Sequence, residues 1–227
     1  MRRHNWTLSP SDFAFLWEEC KRCFYLKVVR GFARPSGPMP GIFSVIDTQM
    51  RAHFMGQGTH LMTPELPPGV VVYGEKWVQS EPIALPGHTH TCAIRGKFDT
   101  VVRFEDGSYG VIDFKTSDIR PGHVHRYSRQ LRAYAYALEH PAPGKLALSP
   151  ISRMGLLAYT PYTFAAQETS QAILTGHLRW HEIRRNDESF FQFLDEVLTV
   201  LELPAPPDPD PQCPWCKYRE DSRANGL

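Results

Sequence analysis

This 227-residue chain predicts an α/β fold in which helices flank a small mixed β-sheet. Two observations lead there. Val101, Val102 and Phe104, then Val111, Ile112 and Phe114, put β-prone residues on both sides of Glu105-Asp106-Gly107-Ser108, a turn whose Asp-Gly pair tolerates the positive φ of tight hairpins. Elsewhere apolar residues recur every three or four positions, the period of a helix with one buried face.

The elements follow in order. Ser9 caps a helix with Pro10 in its first turn, and the helix runs through Phe13, Leu16, Trp17, Cys20 and Phe24. The aromatic stripe of Phe13, Trp17, Phe24 and Tyr25 reads as core rather than as stacking platforms for single-stranded DNA. Arg34 to Gly41 is a proline- and glycine-rich loop. A second helix spans 42–55, with Phe43, Ile46, Met50 and Phe54 as its buried stripe. Val70 to Val78 is a strand after Pro67-Pro68-Gly69. The hairpin has a first strand from Gly96 to Phe104 and a second from Tyr109 to Lys115. Ser117 to Gly122 is a polar connection to a helix over 124–139, where Tyr127, Leu131, Tyr134 and Leu138 form one face. Arg126, Arg129 and Arg132 make its exposed side basic, a surface suited to a phosphate backbone or to water. A strand near Met154–Thr160 follows, then a helix through Phe190, Phe193, Leu194, Val197, Leu198 and Leu201. Pro204 to Pro211 is a stiff linker that delivers Cys213.

The chemistry concentrates on the hairpin. Side chains alternate along a strand, so Asp113 and Lys115 point the same way. Asp99 falls across from the end of the second strand. Two carboxylates and an ammonium then converge, and hard divalent cations prefer such oxygen ligands. A solvated cross-strand salt bridge is the plain alternative. Gln130 and Tyr134 are neighbours at i and i+4 on the helix that follows.

Gly96-Lys97-Phe98-Asp99, then Ile112-Asp113-Phe114-Lys115-Thr116, then Tyr127-Ser128-Arg129-Gln130 through Tyr134 to Leu138, resemble in that order the nuclease domain of the RecB-like branch of the PD-(D/E)XK superfamily. The resemblance implies a restriction-endonuclease-like core and a deoxyribonuclease that hydrolyses phosphodiester bonds with Mg²⁺ or Mn²⁺. It implies Asp99, Asp113 and the Phe114 carbonyl as ligands of that ion, and Lys115 as the group that orients or activates water. It implies Gln130 and Tyr134 as supports of the site. The family adds a Glu or His from an earlier helix, for which His53 and His60 are the candidates. The cluster-bearing relatives of this branch imply exonuclease action on DNA ends or single strands, in repair, recombination or CRISPR adaptation-like processing. Helicase, nuclease or CRISPR-type proteins are the partners this implies.

Five cysteines are present, four of them in the pairs Cys20-Lys21-Arg22-Cys23 and Cys213-Pro214-Trp215-Cys216. Two Cys-x-x-Cys pairs supply four thiolates, suited to tetrahedral Zn²⁺ or to an iron–sulfur cluster. Cys92 reads as a small buried thiol. In the iron–sulfur relatives one cysteine precedes the core and three follow it; Cys20, Cys213 and Cys216 match that pattern. Ser222 stands where the last cysteine would fall, and Cys23 would replace it. The resemblance favours a [4Fe–4S] cluster, with Zn²⁺ as the alternative.

Length and a 42% apolar content predict a single domain over 1–227, with a nuclease core over 42–140 and segments 9–30 and 204–220 meeting at the cysteines. The net charge of +1 does not announce nucleic acid. Basic residues are nevertheless concentrated at Arg2-Arg3-His4, between Lys21 and Arg34, and over 126–132. No apolar run is long enough for a membrane span, and no apolar signal core opens the chain, so a cytoplasmic location is expected. A non-catalytic DNA-binding adaptor with a structural zinc site is the competing function.

Overall fold

The computed structural model describes residues 4–35, 37, 40–119 and 124–226. It contains two sheets flanked by helices. In the three-stranded sheet, β1 (Asn5–Leu8) runs parallel to β4 (Thr91–Phe98), and β3 (Lys76–Gln79) pairs antiparallel on β4's other edge. The five-stranded sheet has the order β2 (Gly69–Tyr73), β5 (Thr100–Phe104), β6 (Tyr109–Lys115), β7 (Ile151–Glu168), β8 (Gln171–Glu182). All its pairs are antiparallel except β6 with β7. Parallel neighbours need a long crossover. Here α5 (Val124–Glu139) provides it.

The alternation along β6 divides the core. Val111 joins the larger apolar cluster with Leu131 and Leu138 of α5 and with Leu194 and Leu198 of α6 (Asp187–Leu201). Ile112 and Phe114 point the other way, against Met50 and Phe54 of α4 (Gly41–Phe54) and Leu157 of β7. Helices therefore cover both faces of the sheet, as the α/β prediction requires.

The structure revises several local expectations. Gly96 to Phe104 is not one strand: Asp99 separates β4 from β5, which belong to different sheets. Residues 70–78 likewise split into β2 and β3. The first helix is three pieces, α1 (Pro10–Ala14), α2 (Leu16–Glu19) and α3 (Lys21–Arg30). The break before α3 falls at Cys20, whose backbone is extended (φ −170°, ψ 110°). β1, β8 and α7 (Pro214–Ala224) had no expectation. Phe13, Trp17, Phe24 and Tyr25 are buried, as a core stripe should be. Of the 42–55 stripe, only Met50 and Phe54 are buried, while Phe43 is exposed.

The basic face of α5 is also revised. Arg132 is buried and forms ion pairs with Asp187 (2.5 Å) and Glu139 (3.5 Å). Arg129 pairs with Glu18 and lies over the Phe193 ring. These arginines bind the helix to its neighbours instead of facing a phosphate backbone. Parts of the 34–41 loop, the end of the 117–122 connection and the Arg2-Arg3 segment lie outside the described residues.

Gly96 shows how tightly the layers meet. A Cβ there would stand 2.7 Å from Pro10 Cδ and 3.0 Å from Tyr134 Cε1. Neither a proline ring nor a buried tyrosine yields cheaply in a packed interior. Gly96→Ala is therefore expected to destabilise the protein by about 1–3 kcal/mol, seen as a lower denaturant midpoint at unchanged slope.

Candidate active site

Asp99 sits at the seam where β4 ends and β5 begins. Its Oδ2 accepts a hydrogen bond from the Phe114 backbone N–H at 3.0 Å, which fixes it beside the end of β6. Asp113 is 4% exposed and forms an ion pair with Lys115 on the same strand face. From α5, Gln130 Nε2 donates to Asp113 Oδ1 at 3.3 Å. Gln130 Oε1 is buried and has no hydrogen-bond partner among the described residues. Tyr134 OH donates to the Lys97 carbonyl at 2.9 Å, tying α5 to β4. Asp99, Asp113, Phe114, Lys115, Gln130 and Tyr134 all line one cavity of about 410 Å³.

The electrostatics are those of crowded carboxylates. The Asp99 carboxyl is pushed up to about 7, first by burial and then by the charge of Asp113. Burial alone would depress Lys115, but the Asp113 carboxylate outweighs it and holds the ammonium above its ordinary value. Lys115 therefore stays charged across the neutral range.

Asp47, on α4, lines the same cavity. Its pKa is raised by burial against the opposing pull of Arg51, with Glu75 and Asp113 adding to the rise. Asp47 pairs with Arg51, which also reaches Glu75 at 2.9 Å and Asp99 at 3.6 Å. Neither Asp47 nor Arg51 was expected at the site. The signal was present: Asp47 lies four residues after Phe43 and three before Met50, so it interrupts the apolar stripe with a carboxylate. The two histidine candidates are elsewhere. His53 stacks edge-on against Phe54 and lines a separate apolar cavity with Leu61 and Leu178. His60 is exposed in a short 3₁₀ turn, its ring against Gly58.

A sequence model of the PD-(D/E)XK nuclease superfamily matches residues 65–220, more than half of the chain. The chain belongs to the PD-(D/E)XK nuclease superfamily. A solved structure described as "Crystal structure of SSO0001" is similar at 14% identity, covering 88% of this chain and 78% of that one, with a TM-score of 0.45. A search of curated proteins finds no match.

Membership in this nuclease superfamily implies a metal-dependent hydrolase. The donor set fits a hard divalent cation. Asp47, Asp99 and Asp113 offer oxygen only, and their raised or crowded charges are what a cation relieves. No helix among the described residues is long and apolar enough to cross a membrane.

A second centre gathers the cysteines of this PD-(D/E)XK chain. Cys20, Cys23, Cys213 and Cys216 are buried, and their sulfurs all lie within 4.8 Å of one another. Cys20 approaches Cys216 at 3.7 Å, and Cys23 approaches Cys213 at 3.8 Å and Cys216 at 3.6 Å. None forms a disulfide. The extended backbone at Cys20 and the N-cap position of Cys213 on α7 present the thiols to each other. Burial opposes ionisation of Cys20, but hydrogen bonds from the backbone and from Cys216 and Cys23 lower it to about 7. Cys216 is pushed up to about 12 by burial and by Cys23. Four packed thiols cannot all ionise together unless a cation joins them, so this donor set fits a thiophilic metal. Arg34 Nη2 donates to Cys213 Sγ at 3.2 Å, and Arg219 Nη2 donates to Cys23 and Cys216 Sγ, each at 3.2 Å. Cys92 is fully buried apart from this cluster, its thiol pushed up to about 12 by burial alone.

The Asp99 shift carries a pH signature. Its folded pKa lies above the unfolded value of 3.8, so the folded protein holds the proton more tightly. In the metal-free state this group is therefore without cost below about pH 4 and lowers stability progressively as pH rises to about 7. Asp99→Asn keeps an acceptor for the Phe114 N–H and is expected to flatten that part of the profile. Denaturant midpoints from pH 4 to 8 read the difference.

Proposed function

We propose that this chain is a Mg²⁺- or Mn²⁺-dependent deoxyribonuclease that hydrolyses phosphodiester bonds as an exonuclease on DNA ends or single strands. The observation that carries the reading is the convergence of Asp99, Asp113 and Lys115, in motif order, on one cavity with Gln130 and Tyr134. Asp99, Asp113 and the Phe114 carbonyl would hold the ion. Asp47 would be the acidic ligand from the earlier helix, in place of either histidine. A bound divalent cation supplies neutralisation of developing phosphate charge and lowers the pKa of water.

The chain's own groups do the rest. Lys115, paired with Asp113 on the same strand face, would hold the attacking oxygen and offset the charge that develops near it. Gln130 fixes Asp113 through its amide nitrogen. Tyr134 acts through position, pinning α5 against β4.

At the cysteines we propose one zinc ion rather than an iron–sulfur cluster. A tetrahedron with Zn–S bonds of about 2.3 Å has edges of about 3.8 Å. Three of the six sulfur separations, at 3.6, 3.7 and 3.8 Å, match those edges, and all six lie within 4.8 Å, which supports that geometry. A cubane places its four thiolates on four separate irons, which spreads the sulfurs further apart.

Two experiments test these readings. Protein loaded at the cysteine site is expected to degrade DNA with added Mg²⁺ or Mn²⁺. Asp113→Ala and Lys115→Ala are expected to lose at least about a hundredfold in rate, while Lys115→Ala retains DNA affinity. If no form of DNA is degraded, or Lys115→Ala cuts at the wild-type rate, the enzyme reading fails. Metal analysis is expected to find one zinc per chain and no absorbance near 400 nm; a brown protein with four irons refutes zinc.

A further inference from the structure

We propose that the cavity beside the four cysteines is a subsite for the phosphodiester backbone of a nucleic-acid strand, built from Arg22, Arg30, Arg219 and Arg223 with Phe32. The proposal rests on the nuclease reading and extends it to a second place on the chain. The cavity has a volume of about 400 Å³, within the span of small-ligand clefts. It shares no lining residue with the carboxylate cavity.

Charge is the main argument. Four arginines and one glutamate, Glu220, line this cavity. None of the five takes part in an ion pair among the described residues. Arg22 is held by the Pro207 carbonyl at 3.0 Å, and Arg219 by the Trp215 carbonyl at 3.3 Å and by two cysteine sulfurs. Arg30 and Arg223 are exposed, and their guanidiniums have no hydrogen-bond partner among the described residues. Elsewhere in this protein the clustered arginines meet carboxylates, as Arg51, Arg129, Arg132 and Arg185 do. Arg219 is answered by the cysteine sulfurs, which leaves Arg22, Arg30 and Arg223 against Glu220 alone, and an anion with several charged oxygens relieves the remaining repulsion.

Shape selects the kind of anion. Phe32 is 56% exposed on the cavity wall, with the Arg219 guanidinium 5.5 Å from its ring centroid. An aromatic face beside cationic groups is the combination that holds a base next to its phosphates, independent of sequence. A free phosphate would use the arginines and leave Phe32 without a role. Arg30 and Arg223 come from the last turns of α3 and α7, so the site exists only where the cysteines bring those helices together.

The test is strand binding by protein loaded at the cysteine site, with no Mg²⁺ or Mn²⁺ added, so that cleavage plays no part. A labelled single-stranded 20-nucleotide oligodeoxynucleotide is titrated by fluorescence anisotropy over a range of KCl. The double variant Arg30→Ala/Arg223→Ala is expected to bind about tenfold more weakly at low salt. Its slope of log affinity against log salt is expected to fall by about 1.4, roughly 0.7 for each single-strand phosphate that is no longer neutralised. Lys76→Ala/Lys145→Ala removes the same charge outside the cavity's lining and is expected to keep the wild-type slope. Cysteine-bound metal content equal to the wild type's shows that the fold is intact. An unchanged slope in the arginine variant, or an equal loss in the lysine variant, overturns the site. Inorganic phosphate that displaces the oligonucleotide at equal phosphate concentration also overturns it, in favour of a free-anion site. Binding through these arginines by a chain that cuts no DNA supports the site while refuting the nuclease reading.

Discussion

The expensive feature of this fold is the placement of Asp47, Asp99 and Asp113 around one partly closed cavity. Carboxylates taken out of water must be compensated, because an unpaired buried charge costs more than any one packing contact returns. Much of the surrounding structure supplies that compensation. Lys115 follows Asp113 on the same strand face, Arg51 stands between Asp47 and Asp99, and the Phe114 N–H closes on Asp99. The parallel crossover from β6 to β7 places α5 where Gln130 meets Asp113. A site that tolerates this crowding is one arranged for a cation.

The cysteine cluster solves a different problem by related means. Its four sulfurs come from segments nearly two hundred residues apart in sequence, and the broken helix at Cys20 is the local concession that lets them meet. Arg34 and Arg219 donate to the sulfurs and offset the negative charge that four thiolates would carry. Joining such distant segments constrains the unfolded chain, so any metal bound there contributes to folding directly.

Sequence was informative where chemistry imposes spacing. Asp113 and Lys115 share a face because strands alternate, Gln130 and Tyr134 share one because helices turn, and each cysteine pair fits a metal-ligand spacing. These residues meet in the structure as the spacings predict. It was less informative where tertiary context decides. Gly96 to Phe104 has continuous β propensity, and nothing local signals that Asp99 divides it between two sheets. Arg129 and Arg132 fall on the polar side of α5 by periodicity, yet Glu18 and Asp187, far away in sequence, draw them into ion pairs. Asp47 escaped notice because Ile46 beside it completes an acceptable apolar stripe. β8 mixes polar and apolar residues without a clean period, because most of its length is solvent-exposed and held by its ladder with β7.

The single-residue junction at Asp99 has a mechanical meaning. β4 ends at Phe98 and β5 starts at Thr100, so the two sheets are hinged on the residue whose carboxylate faces Asp113. One sheet carries β1, which leads into α1 and the cysteine-bearing segment, and the other carries Asp113 and Lys115. A change in the angle between the sheets would pivot at Asp99, whose carboxylate is tied to the Phe114 N–H beside Asp113. The carboxylate pair thereby sits on the axis about which the two halves of the molecule are aligned.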